Sequence, residues 1–283
     1  MFAQLLQEAK RPVYVVSLEG LIGCGKSTQL ELLKSRYAND KRVAFVDEPV
    51  EAWNDLGILQ AMYDGQLDKG MFQLTALMSR IAPIMTAMHS EAEVIVTERS
   101  WISDFFVFAQ ANLRDPMHMA TYKYTFQQLQ DALEHLVHVH MTMLYLRCPV
   151  ETAMARMRDR ARDAESGVAE AYMKTLHDNH ERMIAAAAND TLAFECRAEP
   201  VPPRPPGMNT VAVGIDSTTT DRTRIHEIIV AEVEGALEKA LCGKATSLWM
   251  ARQAAWTAAE AEPTPLGPHP CEDSRPLARS SSC

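Results

Sequence analysis

The chain has 283 residues, a formal net charge of −9 at pH 7 and 47% apolar residues. These values suit a globular protein of one large or two modest domains. The negative charge argues against broad binding to nucleic acid or to an anionic membrane surface, so we expect neither partner, and no apolar run approaches the roughly 18 residues of a membrane-spanning helix.

Short strands alternate with segments of helical length along most of the chain. The strand-like runs are apolar on both faces, as buried parallel strands require, and lie at 13–18, 43–47, 93–97, 141–146 and 210–215. Helices are predicted over about 28–37, 51–62, 70–90, 101–112, 117–137, 149–158, 168–187 and 221–241. This alternation predicts a three-layer α/β/α fold around a doubly wound, five-stranded parallel sheet. Ligands of such sheets bind at the carboxyl ends of the strands.

Composition divides the chain into a main domain, residues 1–243, and a C-terminal segment, residues 244–283. The C-terminal segment is first Ala-rich, which predicts a short helix at 245–261, and then rich in Pro and Ser, which predicts a disordered tail. The proline-dense stretch 198–207 is predicted to be a surface loop, with a Pro-rich ligand for a partner domain as the alternative.

The cysteines and the N-terminus indicate a cytoplasmic or nuclear protein. The six cysteines show neither a C-x-x-C pair nor metal-ligand spacing, so they are interpreted as apolar residues or free thiols in a reducing compartment. The first strand begins by about residue 12, and the preceding MFAQLLQEAK contains an acid and lacks a basic leader. We therefore expect no cleaved signal peptide.

Residues 14–27, YVVSLEGLIGCGKS, are an apolar strand that runs into a G-x-x-x-x-G-K-S loop. Three glycines shape the loop: Gly20, Gly23 and Gly25. They let successive backbone N–H groups point at one anion, while Lys26 adds a positive charge and the Ser27 hydroxyl suits a Mg²⁺ ligand. The helix that opens near Thr28 directs its positive N-terminal end at the same phosphates. The stretch predicts a nucleoside triphosphate site in a P-loop NTPase-like fold, rather than an ordinary glycine turn.

Acidic residues follow the second and third strands. Glu48, in DEPVEAW, is placed to accept a proton from an attacking hydroxyl, because the carboxyl ends of parallel strands face the phosphate loop. Glu98, in TERSWISD, lies where a P-loop enzyme keeps an acidic group near the metal, and Arg99 would place a guanidinium beside the phosphates. The alternatives are an ordinary Glu-Pro turn and a solvated Glu–Arg pair at a helix start.

An arginine-rich segment, RMRDRARDAE, follows the fourth strand. Arginines at every second position spread over different faces of a continuous helix, so they converge only if the segment is partly a loop. Converging guanidinium groups suit a phosphoryl group in transfer, and a lid excludes water that would hydrolyse ATP. The alternative is a solvated basic face. The predicted lid arginines are Arg156, Arg158, Arg160 and Arg162.

The ordered set GLIGCGKS, EPVEAW, MFQLTALMSR, TERSWISDFFVFA, the arginine-rich segment and YMKTLHDNHERM resembles the deoxyribonucleoside kinases over about residues 12–242. That family includes deoxycytidine, deoxyguanosine and mitochondrial thymidine kinases, an insect multisubstrate enzyme and viral relatives. The resemblance implies that residues 1–243 form a kinase domain. It would transfer the γ-phosphate of ATP, bound with Mg²⁺, to the 5′-hydroxyl of a deoxynucleoside. A homodimer is also implied, and another nucleoside triphosphate is left open as the donor.

The resemblance implies roles at the phosphate end of the site. Glu48 resembles the general base for the 5′-hydroxyl, and Arg99 resembles the arginine near that hydroxyl and the phosphates. Lys26 joins them as a catalytic residue, and Ser27 with Glu98 is assigned to the metal. The residues assigned to ATP are Gly20, Gly23, Gly25, Lys26, Ser27, Thr28, Arg156, Arg158, Arg160, Arg162 and Asp216.

The resemblance also implies roles at the nucleoside end. Tyr63 and Glu165 match the pair that holds the sugar 3′-hydroxyl. Gln73 matches the glutamine whose amide bonds the base edge, and Phe72 and Trp53 match the apolar walls of the base pocket. These residues are assigned to the nucleoside together with Glu48, Arg99 and the three residues discussed next.

Base preference depends on Ala76, Arg80 and Asp104. Gln73, Ala76 and Arg80 lie at i, i+3 and i+7, so one helical face presents all three. If Arg80 and Asp104 meet, the aspartate accepts the exocyclic amine of cytosine or adenine, whereas thymine leaves the carboxylate unpaired at a cost of about 1–3 kcal/mol. Such a pair occurs in the deoxycytidine and purine branches of the family, and Ala76 favours deoxycytidine further. The alternative is a surface ion pair between two helices.

Other functions stay open beside this one. A thymidine kinase or a kinase of broad specificity shares the motifs. A thymidylate kinase would need an additional basic site for the acceptor phosphate, and Glu48 argues against it. A non-catalytic nucleotide-binding subunit could lose Lys26 or Glu48 without penalty, yet both are present.

Overall fold

The computed structural model describes residues 11–160, 167–189, 208–218 and 222–261. No helix in these ranges is long and apolar enough to cross a membrane. The chain divides into two compact units, residues 1–242 and 243–283. The predicted proline-dense loop 198–207 and the predicted tail after the C-terminal helix lie outside the described residues.

Five strands form one sheet in which every neighbouring pair is parallel, in the order β2-β3-β1-β4-β5. The strands are β1 (Arg11–Glu19), β2 (Val43–Val46), β3 (Val94–Glu98), β4 (Val137–Arg147) and β5 (Met208–Asp216). The predicted doubly wound α/β fold is confirmed. β1 lies in the middle of the sheet, and its Val15, Val16 and Leu18 are fully buried although they point to alternate faces. Each such side chain contributes about 1.5–3 kcal/mol by burial.

Helices connect the strands and cover the sheet. They are α1 (Lys26–Arg36), α2 (Val50–Asp55), α3 (Ile58–Tyr63), α4 (Lys69–Met88), α5 (Trp101–Ser103), a π-helical turn (Asp104–Ala109), α6 (Gln110–Asn112), α7 (Pro116–Leu136), α8 (Val150–Arg160), α9 (Glu170–Ala188) and α10 (Arg222–Ala261). Two of the longer ones begin at an aspartate that accepts backbone N–H groups of the first turn. These caps are Asp68 for α4 and Asp115 for α7.

Three helix predictions need correction. The single helix over 51–62 is wrong, because Gly57 adopts a left-handed conformation (φ +68°) and separates α2 from α3. The helix over 101–112 contains a π-helical turn, a feature found frequently at functional sites. The separate helix over 245–261 is wrong in its start, since α10 is continuous from Arg222.

The arginine-rich lid stays a prediction. α8 ends at Arg160, and residues 161–166, which include Arg162 and Glu165, lie outside the described residues. The described part of the segment, with Arg156 and Arg158, is helical. Whether all four arginine side chains converge on one anion therefore stays a prediction.

Candidate active site

The phosphate loop follows β1 at the centre of the sheet and is held in place by close backbone packing. An added Cβ at Gly20 would lie 2.7 Å from the backbone oxygen of Leu146, and one at Gly23 would lie 2.5 Å from that of Ala153. Both glycines have positive φ, so no other residue fits without displacing backbone. Gly25 precedes α1 without a side-chain cap, which leaves the first N–H groups of the helix for an anion.

Lys26, Ser27 and Glu98 meet at the start of α1. Lys26 Nζ donates to the backbone oxygen of Leu21 at 2.9 Å and lies 3.8 Å from Glu98 Oε1. Ser27 Oγ donates to the same carboxylate oxygen at 3.1 Å. Hydroxyl and carboxylate oxygens beside a phosphate site suit Mg²⁺, which usually takes only one or two protein carboxylates and completes its shell with water and phosphate. The described residues hold no group of three or more His, Cys, Asp or Glu side chains that could hold a metal.

Arg99 is the first residue after β3 and has an unusual backbone. Its φ is +66°, the only positive value at a described non-glycine residue. Its N–H donates to the backbone oxygen of Leu18 at 3.0 Å, and its carbonyl oxygen accepts from the Thr97 hydroxyl at 2.9 Å. The next N–H, of Ser100, donates to the buried Glu19 carboxylate at 3.0 Å. These contacts offset a strain of about 1–3 kcal/mol and fix the direction of the Arg99 side chain.

The Glu48 carboxylate lies between two guanidinium groups. Its Oε1 accepts from Arg80 Nη2 at 2.5 Å, and its Oε2 accepts from Arg99 Nε at 3.0 Å. Arg99 Nη1 also donates to the backbone oxygen of Gly20 at 2.9 Å, so it joins Glu48 to the phosphate loop. Burial raises the pKa of Glu48, but the positive charges of Arg99, Arg80 and Lys26 outweigh it and lower the pKa to about 2. Glu48 is therefore ionised at neutral pH.

Arg80 and Asp104 form a buried ion pair. Arg80 Nη1 donates to Asp104 Oδ1, and the side chains are 6% and 0% exposed. The guanidinium carbon of Arg80 also lies 4.9 Å from the ring centres of Trp53 and Phe108. A surface ion pair, the alternative considered from the sequence, does not fit this burial. Since a buried charge without its partner is costly, the two residues are structurally interdependent.

A chain of buried hydrogen bonds extends from Asp104 to Gln73 and Asn112. Gln73 Nε2 donates to Asp104 Oδ2 at 3.0 Å, and Asn112 Nδ2 donates to Gln73 Oε1 at 2.9 Å. Tyr122 also donates its hydroxyl to Asp104 Oδ2 at 2.5 Å. Asp104 therefore accepts from three side chains, Arg80 included, and its carboxylate is enclosed by protein.

Apolar side chains line the end of the cleft that the sequence predicts to bind the nucleoside. Trp53 and Phe72 pack edge to face with ring centres 5.7 Å apart, and both are buried. Trp53 also donates its ring N–H to Ser79 Oγ at 3.0 Å. Flat apolar walls of this kind accommodate a nucleobase.

One cleft of about 2000 Å³ joins the phosphate loop to the region of Gln73 and Trp53. Most of the predicted site residues line it: Gly23, Gly25, Lys26, Ser27, Thr28, Glu48, Trp53, Tyr63, Phe72, Gln73, Arg80, Glu98, Arg99, Arg156 and Arg160. Within the described part of the chain, five predicted residues are not part of its lining: Gly20, Ala76, Asp104, Arg158 and Asp216. Arg162 and Glu165 lie outside the described residues.

The five residues outside the lining have identifiable surroundings. Gly20 shapes the loop from behind, and Ala76 is buried in a small cluster with Trp53 and Phe72. Asp104 lies behind Gln73 and Arg80, as described above. Arg158 is exposed, and the exposed Asp216 accepts the N–H of Thr218 at 2.9 Å.

Sequence reasoning missed several residues that complete the site. Phe108 lies under both guanidinium groups, 4.7 Å from that of Arg99. Asn112 and Tyr172 line the cleft. Tyr122 donates to Asp104, and Glu19 accepts from the backbone N–H of Ser100, the residue after Arg99. The run FFVFA gave a weak signal for Phe108, but nothing in the sequence connected residues from α6, α7 and α9 to one pocket.

A family model described as deoxynucleoside kinase matches residues 16–231, about three quarters of the chain. The chain belongs to the deoxynucleoside kinase family. The kinase is accordingly a phosphotransferase, and the function predicted from its motifs is confirmed at this level.

Individual relatives of the kinase are named for different nucleosides. It is 28% identical over 173 residues to a probable deoxycytidine kinase of Fowlpox virus (60% of this chain, 71% of that protein). It is also 28% identical over 176 residues to a thymidine kinase of Ictalurid herpesvirus 1 (61% and 75%). A solved structure of a deoxyadenosine kinase from M. mycoides is similar in fold, with a TM-score of 0.57, 21% identity and coverage of 78% and 99%. These relatives leave the base unresolved.

Proposed function

We propose that the kinase transfers the γ-phosphoryl group of ATP, bound with Mg²⁺, to the 5′-hydroxyl of a deoxynucleoside, with deoxycytidine and the purine deoxynucleosides favoured. One observation carries this proposal: Arg99 hydrogen-bonds both the Glu48 carboxylate and the backbone of the phosphate loop. Glu48 and the glycine-rich loop therefore line one cleft of about 2000 Å³.

At the phosphate end, backbone N–H groups of the loop and the Lys26 ammonium would hold the outer phosphates of the donor. Ser27 and Glu98 would hold Mg²⁺, which neutralises phosphate charge when bound. Arg99 and the lid arginines would stabilise the charge that accumulates on the phosphoryl oxygens. A comparison of ATP, UTP and GTP as phosphate donors tests whether another nucleoside triphosphate takes this place.

At the acceptor, Glu48 would orient the 5′-hydroxyl and accept its proton. A carboxylate of pKa about 2 is a weak base, but phosphoryl transfer passes through a loose transition state in which the hydroxyl proton leaves late. Positioning of the hydroxyl is then the larger contribution. The ionised state of Glu48 supplies the hydrogen-bond acceptor that this requires.

At the nucleoside end, Trp53 and Phe72 would form an apolar wall against the base and Gln73 would bind its edge. Tyr63 would hold the sugar 3′-hydroxyl, with Glu165 as its partner. The preference for cytosine and adenine over thymine is supported by the Arg80–Asp104 pair, which anchors Gln73 through Asp104.

A homodimer is also proposed. Exposed apolar side chains recur one heptad apart on two helices that pack against each other, α4 and α7. They are Met71 and Met78 on α4 and Met117 and Tyr124 on α7. A second copy covering this face would remove these side chains from water. Sedimentation of the wild type and of Met78→Glu would measure it, with a monomeric wild type as the contrary result. A cytoplasmic or nuclear location stays a prediction from the sequence.

A phosphate-transfer panel tests the proposed function. The protein is given radiolabelled ATP, UTP or GTP with Mg²⁺ and each of the four deoxynucleosides, with thymidylate as a fifth acceptor. Transfer to deoxycytidine or to a purine deoxynucleoside is expected. Transfer to thymidylate alone would identify a thymidylate kinase, and transfer to no acceptor would contradict a catalytic function.

A further inference from the structure

Asn112 occupies a distinct place in the base pocket. It is the last residue of α6, is 7% exposed and lines the cleft. Its Nδ2 donates to Gln73 Oε1 at 2.9 Å. It also hydrogen-bonds Tyr172, at the start of α9. Burial raises the pKa of Tyr172, and the hydrogen bond from Asn112 lowers it in part. Asn112 thus connects the base-binding glutamine to the helix that follows the arginine-rich segment.

The hydrogen bonds around Gln73 have a fixed direction. The Asp104 carboxylate, which pairs with the Arg80 cation, accepts from the Gln73 amide nitrogen, and Oε1 of Gln73 then faces Asn112. Asn112 meets this oxygen with its own N–H group. Both ends of the Gln73 amide are therefore defined by neighbours, and a rotation by 180° would place oxygen against carboxylate and nitrogen against nitrogen.

Asp104 itself is not accessible to a base in this arrangement. Its side chain is fully buried, it accepts from Arg80, Gln73 and Tyr122, and it is absent from the cleft lining among the described residues. Arg80, Gln73 and Asn112 are the members of this hydrogen-bond network that line the cleft. Discrimination by Asp104 would therefore act through them.

A fixed amide distinguishes two classes of base. Cytosine and adenine present an amine donor beside a ring-nitrogen acceptor, whereas thymine and guanine present an oxygen acceptor beside an N–H donor. In one orientation the amide complements the donor and acceptor of cytosine and adenine. Turned by 180°, it complements the acceptor and donor of thymine and guanine. Because the 5′-hydroxyl is held at Glu48, the base cannot rotate freely to match an amide of the wrong orientation.

We propose that Asn112 is a specificity-determining positioning residue, which fixes the Gln73 amide and thereby sets the preference between amine-bearing and oxo-bearing bases. This inference rests on the proposed function of the same site. In this inference Asn112 acts on base preference through Gln73, in addition to the Arg80–Asp104 pair.

Asn112→Leu tests the inference, because the leucine side chain has the same number and branching of heavy atoms as asparagine but cannot donate. The measurement is kcat/KM for all four deoxynucleosides. The ratio between the best amine-bearing and the best oxo-bearing base should move towards unity by about tenfold, which corresponds to the loss of one buried hydrogen bond. The change should appear in KM more than in kcat.

Asn112→Asp is the second variant and reverses the polarity of the contact. A carboxylate facing Gln73 Oε1 repels it, whereas the protonated carboxyl can donate. Discrimination should therefore be low at neutral pH and recover as the pH falls, while that of the wild type changes less. Equal loss for all four nucleosides in both variants, with the ratio unchanged, would show a merely structural role and overturn the inference.

Calorimetric binding of the four nucleosides without ATP separates this inference from the proposed function. If the wild type transfers no phosphate, the proposed function fails, and the ratio of affinities still tests Asn112. A ratio of affinities that is the same in wild type and both variants contradicts the inference. If Asn112→Leu does not fold, the comparison rests on Asn112→Asp.

Discussion

The guanidinium of Arg80 lies against the Glu48 carboxylate, with 2.5 Å between Nη2 and Oε1. Its other nitrogen, Nη1, pairs with the buried Asp104. One side chain therefore connects the residue proposed to accept the proton to the hydrogen bonds proposed to recognise the base. Because the pairs are buried, a substitution at one end leaves an unbalanced charge that affects the other.

Glu48→Gln should lower kcat by about 10²–10⁴-fold, because a neutral amide neither accepts the proton of the 5′-hydroxyl nor orients the hydroxyl as the carboxylate held by Arg80 and Arg99 does. Nucleoside affinity, measured by calorimetry, should change by only a few-fold. Glu91→Gln makes the same chemical change at an exposed position outside the cleft lining and should leave turnover unaltered. Unchanged turnover in Glu48→Gln would remove Glu48 as the base.

The double substitution Arg80→Met with Asp104→Ala should admit thymidine, because it removes the charged pair behind the base pocket without leaving either charge alone. The measurement is kcat/KM for thymidine relative to deoxycytidine. Arg80→Met by itself is the control, and it should destabilise the protein by about 3–5 kcal/mol in urea unfolding, since Asp104 stays buried without its cation. A double variant still unable to use thymidine would place selection elsewhere.

Gly23→Ala should raise KM for ATP about 100-fold, because the new Cβ would lie 2.5 Å from the backbone oxygen of Ala153 and the loop would have to move. Gly57→Ala is a matched control. Its φ is also positive (+68°), but an added Cβ there meets open space. It should cost about 1–2 kcal/mol of stability and leave ATP kinetics as they are. Similar ATP kinetics in both variants would refute the packing argument.

His180 should make the protein less stable as the pH falls below about 6.5. The side chain is fully buried between Tyr145 and Phe108, and burial together with the Arg99 charge holds its pKa well below the ordinary value. The unfolded chain takes up a proton below about 6.5 and the native chain does not, so the free energy of unfolding falls by about 1.4 kcal/mol per pH unit.

Urea unfolding between pH 5 and 8 measures this effect. His180→Phe should remove the contribution of His180 to the slope, because phenylalanine does not titrate. His89→Asn, at an exposed position just after α4, should leave the slope as in the wild type. A slope unaffected by His180→Phe would show that His180 takes up its proton in the native state.

The sequence predicted the parallel sheet and the strand, glycine-rich turn and helix of residues 11–36 well, because both depend on local signals. Buried strands such as β1 read as apolar runs, and the glycines of the loop are spaced for an anion. The break at Gly57 and the π-helical turn were missed, since each interrupts an otherwise helical pattern by a single local distortion.

At the candidate site, sequence alone determined which residue types follow each strand, because the carboxyl ends of parallel strands necessarily meet at one edge. Only the tertiary structure decided that Arg80 pairs with both Glu48 and Asp104, that Asp104 lies behind Gln73, and that Asn112 holds the Gln73 amide. These contacts join segments that are far apart in the chain. Their hydrogen-bond directions follow from burial and distance in three dimensions, which no spacing along the chain encodes.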